Sequence, residues 1–284
     1  MSSKSKLGRR VERALAVLAL LAALGAAAQG EAVSSTDGGE AKVAGEARAA
    51  GEAKVVGEPK VAIVAPDPET LSRGMHVYQR YCLSCHGEFG DGRGVSAPYL
   101  DPRPRDFTKG VYKWRSTPTG TLPIDDDINR TIRSGLYNTN MPRWSGLTEG
   151  QLWDVTLYVE SFSPLFGAEP RGRVVSIPGE PAATPESIEA GKSLFQTMGC
   201  FNCHGPEGRG DGPSALTLMD DWGRPIRPFD FSGGHLKCGG ENRDIYRVFM
   251  TGLNGTPMPS YADAMTPEQA WNLVHFLRTL MVPR

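Results

Sequence analysis

The sequence has 284 residues, of which 39% are hydrophobic and 8% aromatic, and its formal net charge is −1. This length allows about two domains of ordinary size, each with enough apolar residues for a core. The near-zero charge argues against a nucleic-acid-binding surface, and nothing in the composition suggests a membrane protein.

The N-terminus has the pattern of an export signal. Five basic residues precede or adjoin an apolar run from Ala14 to Ala28, and the small residues that end this run predict cleavage before Gln29. Because the run is shorter than the ~20 residues of a spanning helix, we expect residues 1–28 to be a signal peptide. An uncleaved membrane anchor is the alternative. Export predicts a periplasmic location, with membrane association only if this segment is retained.

Residues 39–62 contain four copies of a six-residue repeat that begins with Gly-Glu. A turn of hexapeptide β-helix is one interpretation of this pattern. Four repeats of small and charged residues cannot bury a core, however, and such solenoids need more stacking. We therefore predict that residues 29–68 form a flexible, low-complexity tether.

A longer repeat organises the rest of the chain. Two cysteines, a histidine and a tryptophan recur 118 residues later, and a methionine recurs 117 residues later. The pairs are Cys82 and Cys200, Cys85 and Cys203, His86 and His204, Trp153 and Trp271, and Met141 and Met258. A near-constant offset over this length indicates a duplicated unit. We place a first domain at residues 69–165, a linker at 166–184 and a second domain at 185–284; the two domains are called the first copy and the second copy below.

Each copy has the pattern of three helices joined by long loops. The predicted helices are Leu71–Cys82, a short helix from Asp125 to Gly135 and Thr148–Phe162 in the first copy, and Pro185–Cys200, a short helix from Glu241 to Gly252 and Thr266–Leu280 in the second. Acidic residues suit the N-terminal end of the short helices, and a glycine ends each of them. No convincing alternating strand pattern is present, so the predicted fold class is mostly α with long loops.

Four of the five cysteines lie in two C-x-x-C-H strings, Cys82–His86 and Cys200–His204. This string predicts covalent attachment of a c-type haem. Two thiols on one helical turn reach the two vinyl groups on one edge of a porphyrin, and the adjacent histidine meets the iron. A redox dithiol and half of a zinc site are the alternatives for a single C-x-x-C pair. The neighbouring histidines, the export signal and the duplication favour two covalently attached haems c.

Each copy also offers a methionine as the sixth iron ligand. Met141 lies 55 residues after His86, and Met258 lies 54 residues after His204. Both methionines end a loop in which Gly, Leu, Thr, Met and Pro recur in register. A thioether ligand raises the reduction potential of the iron, whereas a core-filling role is the alternative. Because the same frame occurs twice, we predict His/Met ligation of both irons.

Both copies resemble class I cytochrome c domains, and the chain as a whole resembles a tandem two-haem cytochrome c. The resemblance covers residues from about 70 to 165 and from about 185 to 284. It implies that the first and last helices of each copy cross at close range, with glycine on the first and an aromatic residue on the last. The residues that fit are Gly74, Tyr78 and Tyr158 in the first copy and Gly191, Phe195 and Phe276 in the second.

A Gly-rich loop, called the haem loop below, follows each C-x-x-C-H string at residues 87–94 and 205–212. The resemblance also implies that a proline after this loop contributes a backbone carbonyl that contacts the second ring nitrogen of the iron-binding histidine. Pro213 fits this role in the second copy. Val95 stands at the corresponding place in the first copy, so a non-proline carbonyl or that of Pro98 is expected to contact His86.

Donors to the haem propionates are a further implication of the resemblance. Arg105, Trp114 and Arg115 are candidates in the first copy, and Arg227 stands in the related stretch of the second. Solvated loop residues are an equally good interpretation of these four side chains.

The remaining histidines, His76, His235 and His275, have no partner that repeats between the copies. We expect them to be surface residues or hydrogen-bonded structural residues. Cys238, the fifth cysteine, is predicted to be a buried free thiol. A thiolate haem ligand in place of Met258 and an intermolecular bond are the alternatives.

These features predict electron transfer between redox proteins, by a carrier or by the electron-transfer subunit of a respiratory complex, without catalysis by the chain itself. A two-haem enzyme, of the cytochrome peroxidase or thiosulfate dehydrogenase type, is the alternative and requires one open or unusually ligated iron. A purely structural haem module within a complex is a third possibility. The expected partners are an electron donor and an electron acceptor, with no nucleic acid.

Overall fold

The computed structural model describes residues 65–237 and 239–281, which form nine α-helices and three short 3₁₀ helices. The α-helices are α1 (Pro68–Tyr81), α2 (Leu83–His86), α3 (Asp125–Ser134), α4 (Glu149–Ser161), α5 (Leu165–Ala168), α6 (Pro185–Thr197), α7 (Phe201–His204), α8 (Asn242–Thr251) and α9 (Pro267–Leu280). The 3₁₀ helices are Ala97–Tyr99, Phe107–Lys109 and Phe231–Gly233. Within the described residues there are isolated β-bridges but no strands, so the predicted mostly α fold class is confirmed.

The predicted helices are present, with shifted ends. Helix α1 begins at Pro68, three residues before the predicted start, because the side chain of Asp67 accepts a hydrogen bond from the backbone N–H of Thr70 at 2.9 Å. It ends at Tyr81, since Cys82 has a φ of −114° that separates α1 from the short turn α2. The C-x-x-C-H string therefore occupies its own helical turn.

The last helix of each copy begins with a reciprocal capping box. In α4 the hydroxyl of Thr148 accepts from the N–H of Gln151 at 3.2 Å, and the Gln151 side chain accepts from the N–H of Thr148 at 3.0 Å. Thr266 and Gln269 form the same pair of bonds at the start of α9. Each box pairs N–H groups that no helical carbonyl can reach, which fixes where the helix starts.

The first and last helices of each copy cross at a glycine. A Cβ atom at Gly74 would overlap the backbone carbonyl of Asp154 on α4, and one at Gly191 would overlap that of Asn272 on α9. Beside each crossing an aromatic pair packs with ring centroids 5.4 to 5.5 Å apart, Tyr78 with Tyr158 and Phe195 with Phe276. These crossings are the arrangement that the resemblance implies, and they are nearly the same in both copies.

Each copy has its own hydrophobic core, and the predicted linker packs against both. Phe166 belongs to the first core, whereas Val175 and Ile177 pack against the second. The linker also bonds to the first copy, since the N–H of Val175 donates to the carbonyl of Ser116 at 2.8 Å. Residues 65–237 and 239–281 all belong to one compact unit.

Several predictions made from the sequence lie outside the described residues. They concern the signal peptide at 1–28, the part of the predicted tether (29–68) up to residue 64, and the free thiol of Cys238. At the other end of the predicted tether, Pro68 already belongs to helix α1. No helix among residues 65–237 and 239–281 has the length and apolarity needed to cross a membrane.

Candidate haem-binding sites

The two C-x-x-C-H strings adopt the same turn. The N–H of His86 donates to the carbonyl of Cys82 at 2.9 Å, and the N–H of His204 donates to that of Cys200 at 3.0 Å. Each turn places two cysteines and a histidine on one short stretch of backbone directly after the first helix. Because the geometry is repeated, any chemistry that one turn supports is supported by the other.

The four cysteines of these turns are free thiols and are half-buried. Burial raises the pKa of Cys82 to about 12 and that of Cys200 to about 11. Redox-active and zinc-binding cysteines need an accessible or stabilised thiolate, whose pKa is lowered. Among residues 65–237 and 239–281, moreover, no three His, Cys, Asp or Glu side chains converge as a metal site. The raised pKa values of Cys82 and Cys200, one cysteine in each turn, therefore favour neutral thioether linkages over a dithiol or a zinc site.

A backbone carbonyl holds each histidine ring through Nδ1. The Nδ1 of His86 lies 3.3 Å from the carbonyl oxygen of Arg105, and the Nδ1 of His204 lies 3.1 Å from that of Phe229. With the proton on Nδ1, this bond leaves Nε2 as the metal-binding nitrogen. Burial lowers the pKa of His86 to about 4 and also lowers that of His204, so both rings are neutral near pH 7.

The carbonyl partner expected in the second copy was wrong. Phe229 supplies it rather than Pro213, and in the first copy the non-proline carbonyl of Arg105 supplies it rather than Pro98. The segment directly after the haem loop packs against the C-x-x-C-H turn instead, since the N–H of Ser214, next to Pro213, donates to the carbonyl of Asn202 at 2.9 Å. The carbonyl that reaches the ring comes from a later loop.

A phenylalanine ring packs on each histidine, stacked in the first copy and tilted in the second, and this contact was not predicted from the sequence. Phe107 lies 4.5 Å from the ring of His86, and Phe231 lies 4.9 Å from that of His204. The N–H of each phenylalanine donates at 2.7 Å to a glycine carbonyl of the haem loop, Gly90 or Gly208. The signal in the sequence was the Asp-Phe dipeptide followed by Thr or Ser, which occurs at both places.

The two methionine loops share one hydrogen-bond pattern. The N–H of Leu136 donates to the carbonyl of Met141 at 3.0 Å, and the N–H of Leu253 donates to that of Met258 at 3.1 Å. The threonine of each loop donates to the leucine carbonyl at 2.8 Å and accepts from the methionine N–H at 3.1 or 3.3 Å. Both loops begin at a glycine with φ near +65°, Gly135 at 64° and Gly252 at 66°, a conformation that other residues rarely adopt.

In the first copy, Cys82, Cys85, His86 and Met141 line one cleft, whose empty space including its open mouth is about 1280 Å³. The histidine and the methionine thus share one space although 55 residues separate them in the sequence. In the second copy, Met258 and Cys200 are both half-buried and pack against the same core. The predicted ligands of each copy are therefore placed with their own copy.

The lining of the first cleft fits a haem with two carboxylates. Arg105, Lys113 and Lys237 contribute cationic side chains, and burial lowers the pKa of Arg105 to about 10 and that of Lys113 to about 8. Tyr112 Oη and Trp144 Nε1 also line it, buried and without a hydrogen-bond partner among the described residues. Partly buried cations and buried, unpaired donors are unfavourable unless an anion meets them. Haem propionates supply such anions, so the residues present fit haem c.

Comparison with known proteins identifies the family. A chain of the reducing HAO-like protein complex of Kuenenia stuttgartiensis is 44% identical, with a TM-score of 0.73, and the match covers 74% of this chain and 96% of that chain. A family model described as cytochrome c matches residues 188–281, and one described as cytochrome C oxidase, cbb3-type, subunit III matches residues 69–159. The chain is a tandem class I c-type cytochrome. It is therefore a haem-c-binding electron-transfer protein that works with redox partners, as predicted.

Of the candidate propionate donors in the first copy of the tandem cytochrome, two line the cleft and one does not. Arg105 and Trp114 are part of the lining. Arg115 is only 2% exposed and donates to backbone carbonyls of the second copy, so neither the propionate nor the solvated-loop interpretation fits it. In the second copy Arg227 is exposed. Lys237 was not among the candidates, because its contact with the first cleft depends on how the two copies pack.

The other histidines of the cytochrome lie away from the ligand turns. His76 and His235 are exposed, and the ring of His235 packs 4.9 Å from that of Tyr137. His275 is buried, and its Nδ1 lies 2.9 Å from the hydroxyl of Ser187. These positions agree with the surface and structural roles expected for them.

Proposed function

We propose that the tandem cytochrome binds one covalently attached haem c in each copy, with His86 and Met141 as axial ligands in the first and His204 and Met258 in the second. The observation that supports this most directly is the repetition of the whole ligand frame. The histidine contacts a carbonyl and a phenylalanine in both copies, and both methionines lie in loops with the same hydrogen bonds.

A haem bound at each site supplies a one-electron iron couple. The residues of the chain decide how that couple is used. The carbonyl bonds to Nδ1 fix the histidine rings, and the methionine loops would supply a thioether ligand to the bound haem. If a histidine and a methionine both bound the iron, peroxide and sulfur substrates would have no site on it. The proposed function is therefore electron transfer between partners, without turnover of a small substrate.

The similarity to a chain of a reducing HAO-like protein complex supports a place as the electron-transfer subunit of a redox complex of that kind. Because the match covers 74% of this chain, far more than either copy alone, it includes residues of both copies of the cytochrome. The N-terminal sequence pattern supports export of the cytochrome to the periplasm.

Mass spectrometry of the denatured protein, combined with a redox titration, tests the proposal. We expect two haem additions per chain and two one-electron couples. The double variant Cys82→Ser/Cys85→Ser should lose one haem and retain the other. Cys238→Ser is the control, because this cysteine lies outside both strings, and it should retain both haems. One haem per wild-type chain, or steady turnover of peroxide or thiosulfate, would overturn the proposal.

A further inference from the structure

Arg115 is a buried cation whose hydrogen bonds cross between the two copies. Its Nη2 donates to the carbonyl of Thr251 at 2.7 Å, and its Nη1 lies 3.4 Å from that of Gly252. Among the described residues, its other acceptors are also backbone carbonyls or a hydroxyl, within the segment from Tyr112 to Thr119. A buried guanidinium without a bonded carboxylate is costly, so a specific structural task is the better explanation for it.

That task is to cap a helix of the other copy. Thr251 is the last residue of α8 and Gly252 follows it, and the carbonyls at a helix C-terminus carry partial negative charge and lack helical partners. The hydroxyl of Thr119 donates to the same Thr251 carbonyl at 2.7 Å. These carbonyls lie where α8 passes into the loop that carries Met258.

The loop itself is also held from the first copy. The N–H of Gly120 donates to the side-chain carbonyl of Asn254 at 3.2 Å. Arg105 places its guanidinium 4.5 Å from the ring of Trp222, which packs against Gly255 in the same loop. First-copy residues thus bond to the end of α8 and to Asn254 in the Met258 loop, and Arg105 lies next to Gly255 of this loop together with the ring of Trp222.

The reverse contact exists on the Met141 loop. The N–H of Tyr137 donates to the carbonyl of Lys237 at 3.2 Å, and the Tyr137 ring packs on His235. Tyr137 stands four residues before Met141, as Asn254 stands four residues before Met258. The same position of each methionine loop is therefore bonded to the other copy.

We propose that each copy positions the axial methionine of the other. Residues 115–120 of the first copy hold the Met258 loop, with Arg115 as the main positioning residue, and residues 235–237 of the second copy hold the Met141 loop. The inference rests on the proposed His/Met ligation and goes beyond it, because it makes the contact between the copies part of both sites.

The consequence is a coupling of interface and ligation. A methionine on a loop that is already ordered binds at a smaller entropic cost than one on a loop that must be ordered on binding. Removing the cap at Thr251 leaves two carbonyls without charge-assisted donors and loosens the loop after Gly252. Competing ligands should then displace Met258 more easily, while His204 and both thioether links stay in place.

Imidazole titration of the oxidised, haem-loaded protein tests this. In a Met141→His background the near-infrared methionine-to-iron band reports Met258 alone. We expect Arg115→Gln in this background to lower the imidazole concentration at half-loss of the band roughly tenfold, the size expected for losing charge-assisted hydrogen bonds. Arg73→Gln is the matched control, because Arg73 bonds to Asp154 within the first copy, and it should leave the midpoint unchanged.

An unchanged midpoint in Arg115→Gln would overturn the inference. If Arg115→Gln does not accumulate in a haem-loaded form, Thr119→Ala and Asn254→Ala remove single cross-copy bonds, and each should lower the midpoint several-fold. An unchanged midpoint in Thr119→Ala or in Asn254→Ala would also overturn the inference. A missing methionine band in the Met141→His parent would instead contradict the proposed ligation of Met258, before any residue of the interface is altered.

Discussion

The two copies of the tandem cytochrome keep the same ligand frame but differ in what the partner copy contributes. The first copy receives Lys237, whose side chain lines the cleft that contains His86 and Met141. The second copy receives Arg115, which caps the helix that leads to Met258. The contacts that hold the histidine ring and the methionine loop are common to both copies. The cation near the first cleft and the cap on the helix before Met258 depend instead on how the two copies pack together. We therefore expect equal ligands but unequal potentials at the two sites.

We expect the greatest loss of stability from substituting the glycine at each helix crossing, a feature that both copies share. Gly74→Ala and Gly191→Ala each put a Cβ atom into a backbone carbonyl of the last helix. Each should reduce the unfolding free energy by about 1–3 kcal/mol, the usual cost of overpacking. Denaturant titration of the haem-loaded protein measures this. Gly150→Ala is the control, since a Cβ there has no neighbour within 4 Å.

Equal losses at Gly74 and Gly191 would confirm that both copies depend on the same crossing. A loss at only one of them, or none relative to Gly150→Ala, would contradict the equivalence of the two helix pairs.

Exchange of the axial methionine should affect each site separately. Met141→His and Met258→His should each keep the haem attached and lower the potential of their own site by more than about 100 mV, because a nitrogen ligand favours oxidised iron relative to a thioether. Spectroelectrochemistry of the two variants measures both couples. If either substitution left both potentials unchanged, that methionine would not be the ligand.

A pH-dependent difference is expected from the first copy alone. Glu160 is buried, and its pKa is raised to about 8 by burial and by the nearby Asp125 carboxylate, although Arg171 bonds to it at 2.6 Å. The Oε1 atom of Glu160 has no hydrogen-bond partner among the described residues. A proton on Glu160 would allow this carboxyl group to share a hydrogen bond with Asp125. Between pH 4.5 and about 8 the folded state therefore holds a proton that the unfolded state has released.

Stability should consequently fall as pH rises through this window, with a slope of up to about 1.4 kcal/mol per pH unit from this group. Glu160→Gln should flatten the dependence of the unfolding free energy on pH between 5 and 8, as followed by denaturant titration. Glu149→Gln, an exposed residue on the same helix, is the control. An identical slope in wild type and Glu160→Gln would refute the assignment.

We expect a smaller change in reduction potential from substituting Lys237, the second-copy residue that lines the first cleft. Lys237→Met removes a positive charge from the lining of the first cleft and should lower the potential of that site by some tens of millivolts, because a nearby cation favours the reduced state. The potential of the second site should not change. Lys192→Met, at an exposed position on α6, is the control. A shift of the second site rather than the first would reverse the assignment of Lys237.

Local patterns made much of this molecule predictable from its sequence. The C-x-x-C-H strings and the Gly-to-Met loops are short segments whose own residues fix their geometry, and the helix starts follow from capping residues such as Thr148 and Thr266. The haem-binding chemistry could be predicted because the attachment cysteines, the histidine and the methionine all lie within these short segments.

Contacts through long loops were beyond reach. The carbonyl that holds His86 comes from Arg105, 19 residues away, through a loop whose path no periodicity indicates. The cap that Arg115 provides lies 136 residues from it in the chain and depends on the packing of the copies. The contact of Phe107 with His86 could have been predicted, because the Asp-Phe dipeptide that contains Phe107 recurs at residues 230–231 of the second copy.

Near-infrared absorption of the oxidised protein, calibrated against haem content, is the most direct test of His/Met ligation in both copies. We expect a methionine-to-iron band with the intensity of two haems, which falls by half in Met141→His and by half in Met258→His. A wild-type band of one-haem intensity, a high-spin haem or a thiolate signature lost in Cys238→Ser would contradict it.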